Sequence, residues 1–207
     1  VVIEVTITTN GNDEDKVINK LNNITVEFNA DRREVKAKTI IENSKTSWFS
    51  WGNNKNVNFK IDYKVKMPIT NRANLINDYG SIYLNELKGD ASINCDYGKI
   101  IIGNLYSNNN KINIDYTNNS TINLMNGGTI NADYSKFTVE EAGEVKLNAD
   151  YTTSVFEKIE NLNYNCDYGS LRVENAKEVI GNGDYLTMNL GTISKTVKIR
   201  ADYGAIK

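Results

Sequence analysis

The chain has 207 residues, a formal net charge of -2 and no histidine. That length supports one sizeable core, and the near-zero charge leaves no basic field for nucleic acid. The missing imidazole removes Ser-His and Cys-His nucleophiles and the usual metal triads, and no run of 18 apolar residues suggests a membrane-spanning helix.

Residues 1–9 alternate apolar and polar as a strand does. They begin without Met, so an upstream segment carrying a signal or anchor is expected. Asp13 to Leu21 reads as a short helix with Asn12 or Asp13 as N-cap and Val17, Ile18 and Leu21 on one face. Strands at 24–28 and 35–41 flank the turn Asn29-Ala30-Asp31, which predicts a hairpin. Both tryptophans then fall in Ser47-Trp48-Phe49-Ser50-Trp51-Gly52. Aromatic rings in a loop either close the end of an apolar stack or lie against the apolar faces of pyranoses. The closing role is favoured, and Trp48, Phe49 and Trp51 are the residues for a glycan site if this loop binds one.

Beyond this region the dipeptide Asp-Tyr occurs nine times, beginning at Asp62, Asp78, Asp96, Asp115, Asp133, Asp150, Asp167, Asp184 and Asp202. A short, nearly even period is the mark of a solenoid. Three positions before Asp stand Ile93, Ile112, Ile130 and Leu147; one position before stand Cys95, Ile114, Ala132, Ala149 and Cys166. Asn94, Asn113, Asn131, Asn148, Asn165 and Asn182 lie between these columns. Apolar, polar, apolar is the two-residue period of a strand with one buried face. Four and six positions after Asp come Ile100 and Ile102, Phe137 and Val139, and Leu171 and Val173, and nine after come Leu105, Leu124, Ala142 and Ile159. Each coil is therefore expected to hold two short strands and a corner anchor.

About 17 residues leave no room for a helix beside two strands, which favours a parallel β-solenoid over a leucine-rich repeat. Coils spaced about 4.8 Å apart would make a rod roughly 40 Å long. The general crossover rule predicts a right-handed coil, although short-period solenoids include left-handed examples. The expected organisation is a β-rich cap over residues 1–56 and one continuous solenoid over 57–207. The chain stops early in a coil, which leads to the expectation of a bare edge or an end-to-end homodimer.

From residue 57 the order Val-x-Phe-x-Ile-Asp-Tyr-x-Val-x-Met-Pro, followed by Leu75-Ile76-Asn77-Asp78-Tyr79-Gly80-Ser81-Ile82 and Leu87-x-Gly89, resembles the DUF4097-like and head-domain adhesin families of bacterial cell envelopes, which are common in Bacteroidetes. The resemblance implies an exported protein of the outer surface or periplasm with a β-helical fold. Several turns here depart from the family's recurrent Gly, placing Thr117, Ser135, Thr152 or Leu186 there.

Each recurring column has a structural explanation beside a functional one. The aspartates, among them Asp96, Asp115, Asp133, Asp150 and Asp167, could line up for calcium. No Gly-Gly-x-Gly-x-Asp motif accompanies them, so the favoured role is to accept backbone N–H groups of the turn that follows. The tyrosines, among them Tyr97, Tyr116, Tyr134, Tyr151 and Tyr168, share the parity of the buried positions. They are expected to point inward or lie at the corner in an offset stack, so that Tyr134→Ala costs about 3 kcal/mol or more. The asparagines are expected to form an amide ladder. Cys95 and Cys166 stand four coils apart, roughly 19 Å, too far for a disulfide. Glu140-Glu141 and Glu157-Glu160 offer the acid and base of a glycosidase, and acids on a solvated turn are the favoured explanation.

These readings combine into a non-enzymatic, exported β-solenoid that needs no cofactor and presents or binds a surface glycan or protein. A structural scaffold assembled end to end is the second reading, and a carbohydrate-active enzyme the third.

Overall fold

The computed structural model describes residues 1–42 and 57–207; Trp48, Phe49 and Trp51 lie outside them. Two compact units divide the chain, residues 1–68 and 69–207.

In the first unit, β1 (Val2–Gly11) pairs antiparallel with β4 (Val57–Lys66) over ten residue pairs, from Val2 opposite Lys66 to Gly11 opposite Val57. Helix α1 (Glu14–Asn22) is capped by Asp13, whose carboxylate accepts the Lys16 N–H at 3.1 Å. Acidic Glu14 and Asp15 sit in its first turn and Lys20 in its last, the arrangement that the helix dipole favours. Strands β2 (Ile24–Ala30) and β3 (Val35–Ile41) form the expected hairpin. Asp31 closes it by accepting the N–H groups of Arg33 and Glu34.

Asp62-Tyr63 falls in β4, paired with β1, so the first of the nine dipeptides is no part of the repeat. Lys60 stands where six of the other eight carry Asn.

The second unit is a parallel β-solenoid of about eight turns. Its first coils hold two strands each: β5 (Ala73–Asp78) and β6 (Ser81–Leu87), then β7 (Ala91–Asp96) and β8 (Lys99–Leu105). After β9 (Asn110–Asp115) the two merge into one long strand per coil: β10 (Ser120–Asp133), β11 (Lys136–Asp150), β12 (Thr153–Asp167), β13 (Gly169–Asp184) and β14 (Leu186–Asp202). A two-residue strand, β15 (Ala205–Ile206), follows. The merger has a simple cause. From Asp133 to Asp184 the coils are all 17 residues long, so parallel pairing runs in register round the whole coil. The earlier, longer coils carry extra residues that interrupt it, whereas the last coil absorbs its one extra residue as a register shift opposite Ala176–Glu178.

The core is a set of inward columns. Ile93, Ile112, Ile130 and Leu147 form one, Ile100, Ile102, Phe137, Val139, Phe156 and Val173 fill two more, and all are fully buried. A further inward column lies five positions before Asp, with Ala73, Ala91, Val145, Leu162 and Val179. At the anchor column Met125 pairs with Ala142 and Leu105, while Leu124 sits opposite Glu141. The spacing reading therefore placed Leu124 one residue off. Asn119 is the residue that shifts the register, taken up in a left-handed conformation with φ 54° that Asn tolerates better than most side chains.

Volume is balanced between coils as well as within them. Tyr164 is buried at a column elsewhere filled by Ile or Leu, and Gly181 lies opposite it in the next coil. A Cβ on Gly181 would come 2.1 Å from the Tyr164 carbonyl oxygen and 2.6 Å from the Tyr164 ring. The absent side chain makes the ring's space, and the Tyr164 hydroxyl reaches Met188 Sδ at 3.2 Å.

Candidate functional site

The Asp-Tyr corner is the one place where every coil breaks its pleat. Tyr79, Tyr97, Tyr116, Tyr134, Tyr151, Tyr168, Tyr185 and Tyr203 all have φ between 50° and 61°, a region that costs a non-glycine residue roughly 1–2 kcal/mol. A left-handed residue reverses the alternation of side chains, so Asp and Tyr both face outward and the residue after Tyr turns in. Thr117, Ser135, Thr152 and Leu186, at that next position, are buried.

Buried hydroxyls need partners, and here the corner backbone supplies them. Ser135 Oγ accepts the Thr117 N–H at 3.0 Å and lies 2.8 Å from the Asp133 carbonyl and 3.1 Å from that of Ile114. Thr152 Oγ1 accepts the Ser135 N–H at 3.1 Å and lies 2.9 Å from the carbonyls of Asp150 and Ala132. Asn110 does the same at the longest coil: its Oδ1 accepts the Ala91 N–H, and its Nδ2 donates to the carbonyls of Ser107 and Gly127. Among the described residues no buried side-chain polar atom lacks a partner.

Outside, three rows run along the stack. The tyrosine rings lie face to face in one file, with centroids 4.8–5.2 Å apart and planes within 11° of parallel. Of the two expected placements, inward or at the corner, the rings take the corner: Tyr134 is 51 % exposed. The Tyr134 N–H donates to the Asp150 carbonyl at 3.0 Å, and the equivalent bond recurs from Tyr79 to Tyr185, which holds successive corners together. Because each ring face rests against its neighbours, solvent meets ring edges and hydroxyls.

The aspartates form the second row. Their carboxylates hold the stack rather than their own turns: Asp133, Asp150 and Asp167 accept the backbone N–H of the next coil's Asp150, Asp167 and Asp184, at 3.2, 3.3 and 2.8 Å. Partial burial, then the negative charges of Asp133 and Asp96, hold the Asp115 carboxyl above the usual carboxylate range. Among the described residues no group of three or more Asp, Glu, Cys or His side chains converges to hold a metal ion.

The third row is an amide ladder. Asn131 Nδ2 donates to Asn113 Oδ1 at 2.6 Å, Asn148 to Asn131 at 2.7 Å and Asn182 to Asn165 at 2.6 Å, and Asn113 donates to Asn94.

The remaining sequence candidates lie apart from these rows. Cys95 and Cys166 are buried free thiols, and burial pushes them up to about 11 and about 12. Glu141 is ion-paired with Lys158, and Glu160 with Lys177, both on the exposed surface at 2.6 Å. No described helix is long and apolar enough to cross a membrane.

Fold and corner together define a β-solenoid repeat protein with an external tyrosine file. Comparison with family models, with curated proteins and with solved structures finds no match to the chain.

Proposed function

We propose that the chain is an exported, non-enzymatic module of a bacterial envelope, in which the solenoid is a rigid adhesion or presenting element and the Asp-Tyr corner is its contact strip. One observation carries this reading: eight tyrosines are held at the surface in a backbone conformation that is unfavourable for them. Repeated strain at an exposed position points to use of the position, because packing alone is met more cheaply by an inward ring. The resemblance to envelope adhesins supports the same reading.

The strip would engage its partner through hydroxyls and ring edges, since the ring faces are occupied. A surface glycan or a protein with a matching row of donors and acceptors suits that chemistry better than a ligand that must lie flat on an aromatic face. The test is an array of glycans and extracellular-matrix proteins, probed with wild type and with Tyr134→Phe, Tyr151→Phe. Removing two hydroxyls while keeping the rings should weaken binding at least tenfold with the melting temperature unchanged. Wild type that binds nothing on the array, or a variant that binds equally well, would overturn the proposal.

A further inference from the structure

The tyrosine file has a property that neither packing nor adhesion requires. Its rings are cofacial in every neighbouring pair, without a gap, over roughly 34 Å. They are also nearly equivalent: from Tyr79 to Tyr185 the exposed fraction of all seven stays between 46 and 51 %. Each follows an Asp, has the same backbone conformation and presents its edge to water. A row of like redox centres in π contact, with solvent at each to take up or return a proton, contains no step that is strongly downhill or uphill.

We propose that this file is a radical relay, along which a tyrosyl radical formed at one ring passes to the others. The initiating step needs a one-electron oxidant, of the kind a peroxidase's high-valent haem or a photo-oxidised metal complex provides. That oxidant takes one electron from a phenol, and the O–H proton leaves to water, giving a neutral phenoxyl radical. In each later step the neighbouring phenol gives up one electron through the stacked rings and one proton through water. The first ring returns to phenol and its neighbour becomes the phenoxyl. No further oxidant is consumed, and the steps repeat in either direction. Burial of the phenols against one another, then nearby tyrosines and aspartates, raises the pKa of Tyr134 and Tyr168, so the rings start as neutral phenols.

The same geometry makes the relay testable in the full chain. Ser81 is exposed and two residues from Tyr79, so Ser81→Cys can carry a ruthenium-polypyridyl photo-oxidant. The native thiols are buried and held protonated, which keeps the label at one site. After flash oxidation with a spin trap present, peptide mapping locates the radical adducts. The relay predicts adducts along the file as far as Tyr185. It also predicts that Tyr134→Phe, which keeps a ring in the stack but has no O–H to give, reduces the yield on Tyr151, Tyr168 and Tyr185 at least tenfold. Tyr151→Phe should move the boundary one coil further. Adducts confined to Tyr79 and Tyr97 in the unbroken file would overturn the relay. So would an unchanged distal yield in both Phe variants, or equal labelling of an isotopically heavy chain without the photo-oxidant mixed into the sample. None of these outcomes depends on whether the strip binds a glycan or a protein.

Discussion

Residues 1–68 and 69–207 solve the same problem, pairing strands without leaving backbone groups bare, in opposite ways. In the first unit the pairs are antiparallel, each contact is made once, and Ile24 is the one described hydrophobic residue that is buried. In the second the pairs are parallel and in register, so an interaction that suits one coil recurs in the next. Asn, Asp and Tyr each become a row for that reason. The difference teaches that a solenoid multiplies small terms: a single amide hydrogen bond is worth about 1 kcal/mol, but its row is a property of the whole rod. It also multiplies errors, since a misfit in one coil meets two neighbours.

The largest expected effect follows from that last point. Ile at position 181 would restore the commonest residue of its column, yet the chain there accommodates the Tyr164 ring. Gly181→Ile should therefore destabilise by about 3 kcal/mol or more through overpacking. Tyr164→Ile combined with it should recover the part of the loss due to the ring and leave the part due to the Tyr164 carbonyl, a non-additivity that urea denaturation would reveal. Equal, additive losses would show that the two coils do not share the space.

Alkali probes the same core. Tyr164 and Cys166 are pushed up to about 12 from ordinary values of 10.0 and 9.0, in both cases chiefly by burial. Both are neutral below those ordinary values, so the stability they contribute is fully present there. It is lost as pH rises from about 9 toward 12, where the unfolded chain has ionised and the folded one has not. Melting temperature should fall across that window, and the fall should be smaller in Tyr164→Phe.

The amide row should respond more mildly. Asn131→Ala removes one donated and one accepted side-chain bond at a half-buried site, for about 1–2 kcal/mol. Smallest of all is a change in the first unit: Asp13→Ala removes the N-cap of α1 for about 1 kcal/mol. Hydrogen exchange should show it as faster exchange in the helix, with the solenoid amides unaffected. Exchange that accelerates throughout 69–207 would show the two units to be one cooperative body.

Much of the solenoid was legible because its signal is repeated. The Asn column and the Ile columns on either side of it mark a half-buried strand, and both appear where expected. The orientation of the tyrosines was misjudged by extending that alternation through Asp-Tyr. The correcting signal is in the chain: buried positions fall one, three and five residues before Asp but four and six residues after it, so the parity must reverse between them. A left-handed Tyr is what reverses it. Other features leave weaker traces. Nothing in Asp62-Tyr63 itself separates it from the true repeats, because partner choice for β4 depends on β1, more than fifty residues away. Nor does the local sequence say which residue of Thr117-Asn118-Asn119 is extra, hence the misplaced Leu124. The candidate strip was visible as three columns, but its exposure and the role of Thr117, Ser135 and Thr152 inside the corner depend on the same reversal.

The central claim is that the tyrosines sit outside, at left-handed corners, and the most direct measurement compares Tyr134→Gly with Tyr134→Ala by urea denaturation. Both variants remove the same ring and its two stacks. At a left-handed corner Gly should be the more stable of the two by about 1 kcal/mol, because it alone adopts positive φ without strain. An ordinary extended strand with an inward ring would reverse the sign, Gly being worse than Ala by about 0.5–1 kcal/mol, and that result would contradict the account.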